Sequence, residues 1–231
     1  MWHGTVPFDE LKKRGCWKVE FFSGERIGVA ASPFDLVPLN SLVTERRETI
    51  DPQATPEALV NYLGLEHIES LTGALVNFSP VRSKEIRSRS KVFLGGDVLY
   101  GRLRPYLNKV YVAAGEVSEG ICSGEFYVLV PNQGRILPHV LRAILASEYV
   151  HPHVGKWQTG SALPRLQLHD LLEIVVPVPP IDVQKRYEEY LVAQMARYSE
   201  LLREISELPQ RAVSSLLAAM NAGSAEIGTT T

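Results

Sequence analysis

Between Arg82 and Lys109 the sequence places eight cations, Arg82, Lys84, Arg87, Arg89, Lys91, Arg102, Arg104 and Lys109, against two acids, Glu85 and Asp97. The other 203 residues carry 16 basic and 24 acidic side chains, so a basic segment stands on an acidic background. That segregation suits an anionic partner, and it suits equally a solvated strand-and-loop face kept soluble by its charges. Patterns for covalent chemistry fail one by one. Gly155-Lys156 lacks the upstream glycine of a phosphate loop. In Gly120-Ile121-Cys122-Ser123-Gly124 the serine comes one place too late for a nucleophile elbow, so a tight turn is expected. His151-Pro152-His153 offers two imidazoles but no further ligand cluster, and reads as a turn rather than a metal site. Asp9, Glu10 and Lys12 approach a nuclease carboxylate–lysine set with the wrong spacing, on a segment that reads as an N-terminal helix. The chain is therefore expected to be non-catalytic, with no metal and no cofactor.

The elements that must position these charges come in two textures. With 231 residues, a net charge of −2, 45% hydrophobic and 22% charged residues, the composition is that of a globular protein. No apolar run is long enough to span a membrane, and the N-terminus has no signal-peptide pattern. Two cysteines, Cys16 and Cys122, imply no disulfide framework, and a soluble cytoplasmic protein is expected. Up to about residue 181, short apolar runs alternate with Gly, Pro, Asn and Ser. Trp17–Phe21 and Arg26–Val29 read as a hairpin; Lys91–Leu94, Val98–Tyr100, Val110–Val112 and Phe126–Val130 read as strands. Leu137–Tyr149 reads as a helix, Leu168–Glu173 as a short turn, and Ile174–Val176 as a strand. The expectation is a mixed α+β domain with a twisted sheet. After Pro177, Pro179 and Pro180, which cannot continue a strand ladder, Asp182 is placed to cap a helix. Leu191, Met195, Tyr198, Leu202 and Ile205 alternate spacings of four and three, a heptad seam. Some 27 residues at 1.5 Å rise make a rod of roughly 40 Å, which favours a partner-packing helix. Pro209 is expected to kink or end it, a second amphipathic piece to run from Ala212 to Met220, and 221–231 to be a disordered tail.

Five ordered segments carry a resemblance. They are Tyr62–Glu69 with Thr72-Gly73; Phe93–Val110, which contains Gly101-Arg102-Leu103-Arg104-Pro105-Tyr106-Leu107-Asn108; Gly120–Phe126; Thr159-Gly160-Ser161 with Pro164-Arg165-Leu166; and Val176–Pro180 with Gln184. In this order, over about residues 35–220, they resemble the DNA-specificity subunits of type I restriction–modification systems. The resemblance implies a target recognition domain (1–181, with 1–33 unmatched) that reads one half of a split DNA site. It further implies a helical spacer (182–220) that docks methyltransferase subunits and, in systems that carry one, the restriction subunit. The usual subunit has two such units, whereas this sequence has one, at about half the customary length. A homodimer through the helical seam would restore two recognition domains and read inverted half-sites about one DNA turn apart. The contrasting reading is a protein–protein scaffold in a defence complex, without DNA specificity of its own.

The residue chemistry fits what the resemblance implies. Arg82, Lys84, Arg87, Arg89 and Lys91 lie within ten residues, a density suited to a phosphate track. Arg102 and Arg104 share side-chain parity, so in an extended segment they point the same way. Each offers the planar fork that fits a guanine edge or a phosphate. The alternative for this pair is a fold-defining loop. Tyr106, Asn108 and Lys109 extend the same stretch, and Lys156 and Gln158, beside Trp157 and Thr159, are further candidates on a polar loop.

Overall fold

A computed structural model describes residues 32–151, 154 and 163–227. The expected hairpin at 17–29, the N-terminal helix around Asp9, and the candidates Lys156 and Gln158 lie outside these residues. The described chain forms two compact units, divided between Leu191 and Val192.

The first unit is built on an antiparallel sheet in the order β2 (Val43–Glu45), β11 (Phe126–Pro131), β8 (Val98–Gly101) and β9 (Val110–Val112). Strands β8, β9 and β11 read as apolar runs because both faces are buried, and the pleat deals alternate residues to two cores. Val98, Tyr100, Val110, Val112, Tyr127 and Leu129 face one core together with helix α1 (Pro138–Ala146) and helix α2 (Leu168–Leu172). Leu99, Tyr111, Phe126 and Val128 face the other, with Leu63, Phe93, Val117 and Cys122. A second, mixed sheet orders β3 (Thr49–Ile50), β7 (Ser90–Phe93), β10 (Gly120–Cys122) and β5 (Tyr62–Leu63), with β10 and β5 parallel. Two small antiparallel ribbons, β4 (Leu59–Val60) with β6 (Val81–Arg82) and β1 (Asp35–Pro38) with β12 (Val175–Val178), complete an α+β architecture. A part-buried ion pair ties the chain after β2 to the turn between β7 and β8: Arg46 Nε donates to Asp97 at 2.7 Å, and the same carboxylate accepts from the backbone N–H of Leu94 at 2.8 Å.

Three expectations are corrected. Gly120–Cys122 is a strand rather than a turn, pairing with β7 on one side and β5 on the other. Leu168–Leu172 is a helical turn and a half. Pro177 sits inside β12 opposite Leu36, which a two-stranded ribbon permits because each strand has an open edge where a missing N–H costs nothing.

Helix α3 (Ile181–Ile227) runs 47 residues with Pro209 inside it, so the proline does not end it, and it continues through 221–227, where a tail was expected. The lost hydrogen bond falls on a solvated turn, and the Glu207–Arg211 ion pair brackets the proline one turn apart, so helix is retained on both sides. The first turns of α3 belong to the first unit. Helix α1 has no side-chain cap of its own. Gln184 accepts from Leu137 N–H at 2.9 Å and donates to the carbonyls of Arg135 and Pro179, both at 2.8 Å. One turn on, the Glu188 carboxylate accepts from the N–H groups of His139 and Val140, both at 3.0 Å, and lies 2.8 Å from His139 Nδ1. A carboxylate at the exposed N–H groups of a helix start is favoured by the helix dipole as well. Burial pushes the Glu188 carboxyl up, but the hydrogen bonds from His139 and Val140 outweigh it and hold the group below its ordinary range.

Candidate nucleic-acid interface

Three of the sequence segments meet where β8 ends and β11 begins. Arg102 N–H donates to Glu125 O at 2.8 Å, Leu166 N–H donates to Arg102 O at 2.9 Å, and Arg104 N–H donates to Pro164 O at 2.8 Å. Leu103 and Arg165 form an antiparallel bridge. The Gly101–Pro105 segment is thus held between the Glu125 turn and the 164–166 segment by main-chain bonds.

The parity expected of Arg102 and Arg104 ends at Arg104, which takes the left-handed conformation at φ 47° and starts the helical turn Pro105–Leu107. Arg104 is exposed, as is Tyr106 two places on. Arg102 instead lies over the Tyr127 ring, its guanidinium carbon 5.2 Å from the centroid. Its Nε is buried without a hydrogen-bond partner, and the nearest Glu125 oxygen is 4.0 Å away. Lys91 approaches the same ring at 5.3 Å while donating to Glu45 and to Phe126 O, at 3.1 and 2.8 Å. Cations over an aromatic face are favoured by the ring quadrupole, which concentrates positive charge at this corner. The Tyr127 hydroxyl donates to Leu166 O at 2.8 Å, pinning the ring, and burial pushes its pKa up.

Two residues of this corner, Glu125 and Arg165, lie in the family-like segments without standing among the sequence candidates for DNA contact. Arg165 grips Glu125 through both Nε and Nη2, at 3.1 and 2.8 Å. The pair forms across 40 residues, so no local spacing announces it.

The remaining cations divide by what they touch. Arg82 and Lys84 share one carboxylate, Glu57, at 2.7 and 3.0 Å, and remain about half exposed. Arg87 is exposed, and Arg89 is exposed while donating to Thr49 Oγ1 at 3.0 Å. Lys109 and Asn108 serve the fold. Lys109 Nζ donates to Leu65 O and Ile68 O, both at 2.7 Å, and burial lowers its pKa. Asn108, 4% exposed and left-handed at φ 49°, donates to Ala146 O at the C-terminus of α1. Among the described residues, no group of three or more His, Cys, Asp or Glu could hold a metal, and no helix is long and apolar enough to cross a membrane.

No family model matches the chain. Over 160 residues it is 28% identical to the specificity subunit of the type I restriction enzyme EcoDI of Escherichia coli, covering 69% of this chain and 33% of that protein. Its fold is similar to that of the HsdS subunit from Thermoanaerobacter tengcongensis, with a TM-score of 0.59, 25% identity, and coverage of 84% of this chain and 49% of that one. A chain from a structure of a type I restriction–modification system, described for its complex assembly and conformational transition, matches with a TM-score of 0.57, 25% identity, and 85% and 50% coverage. The chain spans about a third of the curated relative and about half of each solved chain.

Proposed function

We propose that this chain, related in sequence and fold to type I specificity subunits, is a non-catalytic DNA-recognition subunit. It directs methyltransferase subunits and, in systems that carry one, a restriction subunit to a specific sequence in the cytoplasm. The observation that carries the reading is the corner where three family segments converge on Arg102, Arg104 and Arg165, within a fold shared with specificity subunits. Arg82, Lys84, Arg87 and Arg89 extend the phosphate contacts; Arg104 and Tyr106 are the exposed candidates for base edges. Lys91, Asn108 and Lys109 support the surface from within. The transfer chemistry belongs to the methyltransferase partner, which supplies the S-adenosylmethionine site.

Leu191, at the start of the expected seam, packs partly buried against the first unit's core, and the rest of the seam on α3, Met195, Tyr198, Leu202 and Ile205, is the surface for a second copy and for the methyltransferase. Its exposed apolar neighbours, Leu208, Leu216 and Met220, lengthen it. Symmetric pairing makes the two half-sites inverted copies. Light scattering on the chain alone and with its methyltransferase tests the assembly: a dimer of about 51 kDa, twice the 25.7 kDa chain, joining methyltransferase chains is expected. Titration of duplex binding with salt tests the recognition: a steep linear loss of log affinity is expected, and a flat response refutes a phosphate-contacting surface.

A further inference from the structure

The corner around Glu125 holds a charge arrangement that recognition of a phosphate backbone does not by itself require. A single carboxylate faces two guanidinium groups, gripping Arg165 through two nitrogens and standing 4.0 Å from Arg102, whose buried Nε has no acceptor. Its own backbone is fixed from both sides, with its carbonyl accepting from Arg102 N–H and its N–H donating to Ser123 Oγ at 3.2 Å. The three side chains are a quarter to two-fifths exposed, so a ligand anion can reach them. We propose that Glu125 is an exchangeable counter-ion: Arg165 and Arg102 turn from it to DNA phosphate on binding, and its charge makes Glu125 a specificity-determining residue.

The physical argument is a competition between two anions for one pair of forks. Carboxylate and phosphate are both acceptors for a bidentate arginine, so a phosphate arriving here gains only the difference between them. Two guanidinium groups against one carboxylate leave one net positive charge, enough to attract the backbone. The carboxylate that stays behind repels any phosphate held out of register. A backbone aligned by base contacts elsewhere can place its oxygen against Arg102 and Arg165 and away from Glu125, whereas a sliding backbone cannot. Glu125 therefore weakens non-specific binding more than specific binding, a repulsive element of the kind that separates right from wrong partners.

The inference rests on the DNA-recognition reading, and its test separates the two. The chain assembled with its methyltransferase is titrated with a fluorescent 30-bp duplex of random sequence over a range of salt, and selected against a randomised duplex library. Glu125→Gln keeps the shape and removes the charge. It is expected to tighten random-duplex binding about two- to fivefold, to steepen the salt slope by about one phosphate, and to blur the selected motif. Arg165→Gln is expected to make the slope shallower by about one, and decides the matter alone if Glu125→Gln does not fold. Weaker or unchanged random-duplex binding by Glu125→Gln, or an unchanged slope for Arg165→Gln, overturns the counter-ion role and makes the pair structural. If the wild-type assembly shows no salt-dependent duplex binding, the recognition reading falls first and takes this one with it.

Discussion

Lys109 and Arg87 carry the same formal charge within one basic segment, yet the fold gives them opposite tasks. The Lys109 ammonium satisfies the carbonyls of Leu65 and Ile68, while Arg87 stands in solvent. Lys109→Met removes the donor from Ile68 O and leaves Leu65 O with only the Ile68 N–H at 3.3 Å, which is expected to cost about 1–3 kcal/mol of stability without altering the salt slope of DNA binding. Arg87→Ala is expected to do the reverse, leaving the thermal midpoint unchanged and lowering the slope by about one. Thermal melts and salt titrations on the two variants check this directly. A similar division explains why the site was only partly legible in the sequence. Arg82, Lys84, Arg87, Arg89 and Arg104 were visible as exposed charge because local density and turn residues betray a surface. The inward use of Lys91 and Lys109 was not, because a lysine's burial depends on carbonyls far away in the chain. Glu125 and Arg165 are illegible in the sequence for the same reason: the two pair across 40 residues.

The junction between α1 and α3 is where one element completes another. Helix α1 begins with a proline and no cap, and its first donors are satisfied by Gln184 and Glu188, four residues apart on one face of α3. Glu188→Gln keeps one acceptor but loses the charge, and is expected to destabilise the first unit by about 1–2 kcal/mol at neutral pH. The sign of its pH dependence follows from its lowered pKa. The folded state binds this proton less readily than the unfolded chain, so the contribution is full above the ordinary glutamate value of 4.5 and fades as pH falls through the lower folded value. Melting curves from pH 6 to 3 are expected to converge for wild type and Glu188→Gln at the acid end. The strands β7, β8, β9 and β11 and helix α1 were readable from apolar runs, since burial on two faces or on one helical stripe writes itself into composition. Strand β10 was not, because Gly120, Ser123 and Gly124 spell a turn and only the flanking strands β5 and β7 make it extended. The same holds at Pro177 and Pro209, where an open ribbon edge and a solvated helix face tolerate what a central strand or a packed helix would refuse.

At the scale of the whole molecule, the proposed pairing through the α3 seam would turn one recognition unit into two. Leu202→Asp together with Ile205→Asp places two charges into the stripe that a second copy must bury. The double variant is expected to run as a 25.7 kDa monomer in light scattering while each chain retains its own, weaker, duplex binding. Loss of duplex binding to the level of the buffer control would mean that recognition needs the pair and not the single unit. A different consequence comes from the β1–β12 ribbon, which joins residues 35–38 to residues 175–178. Closing so long a stretch of chain is entropically slow, and on a ribosome the second strand emerges only after every other described strand. The two cores can therefore condense early, but the unit is sealed only when Val175–Val178 appears, immediately before the helix that carries the seam. The order of synthesis thus puts closure of the ribbon ahead of the proposed pairing surface, so a nascent chain would expose that surface only after the unit that precedes it can close.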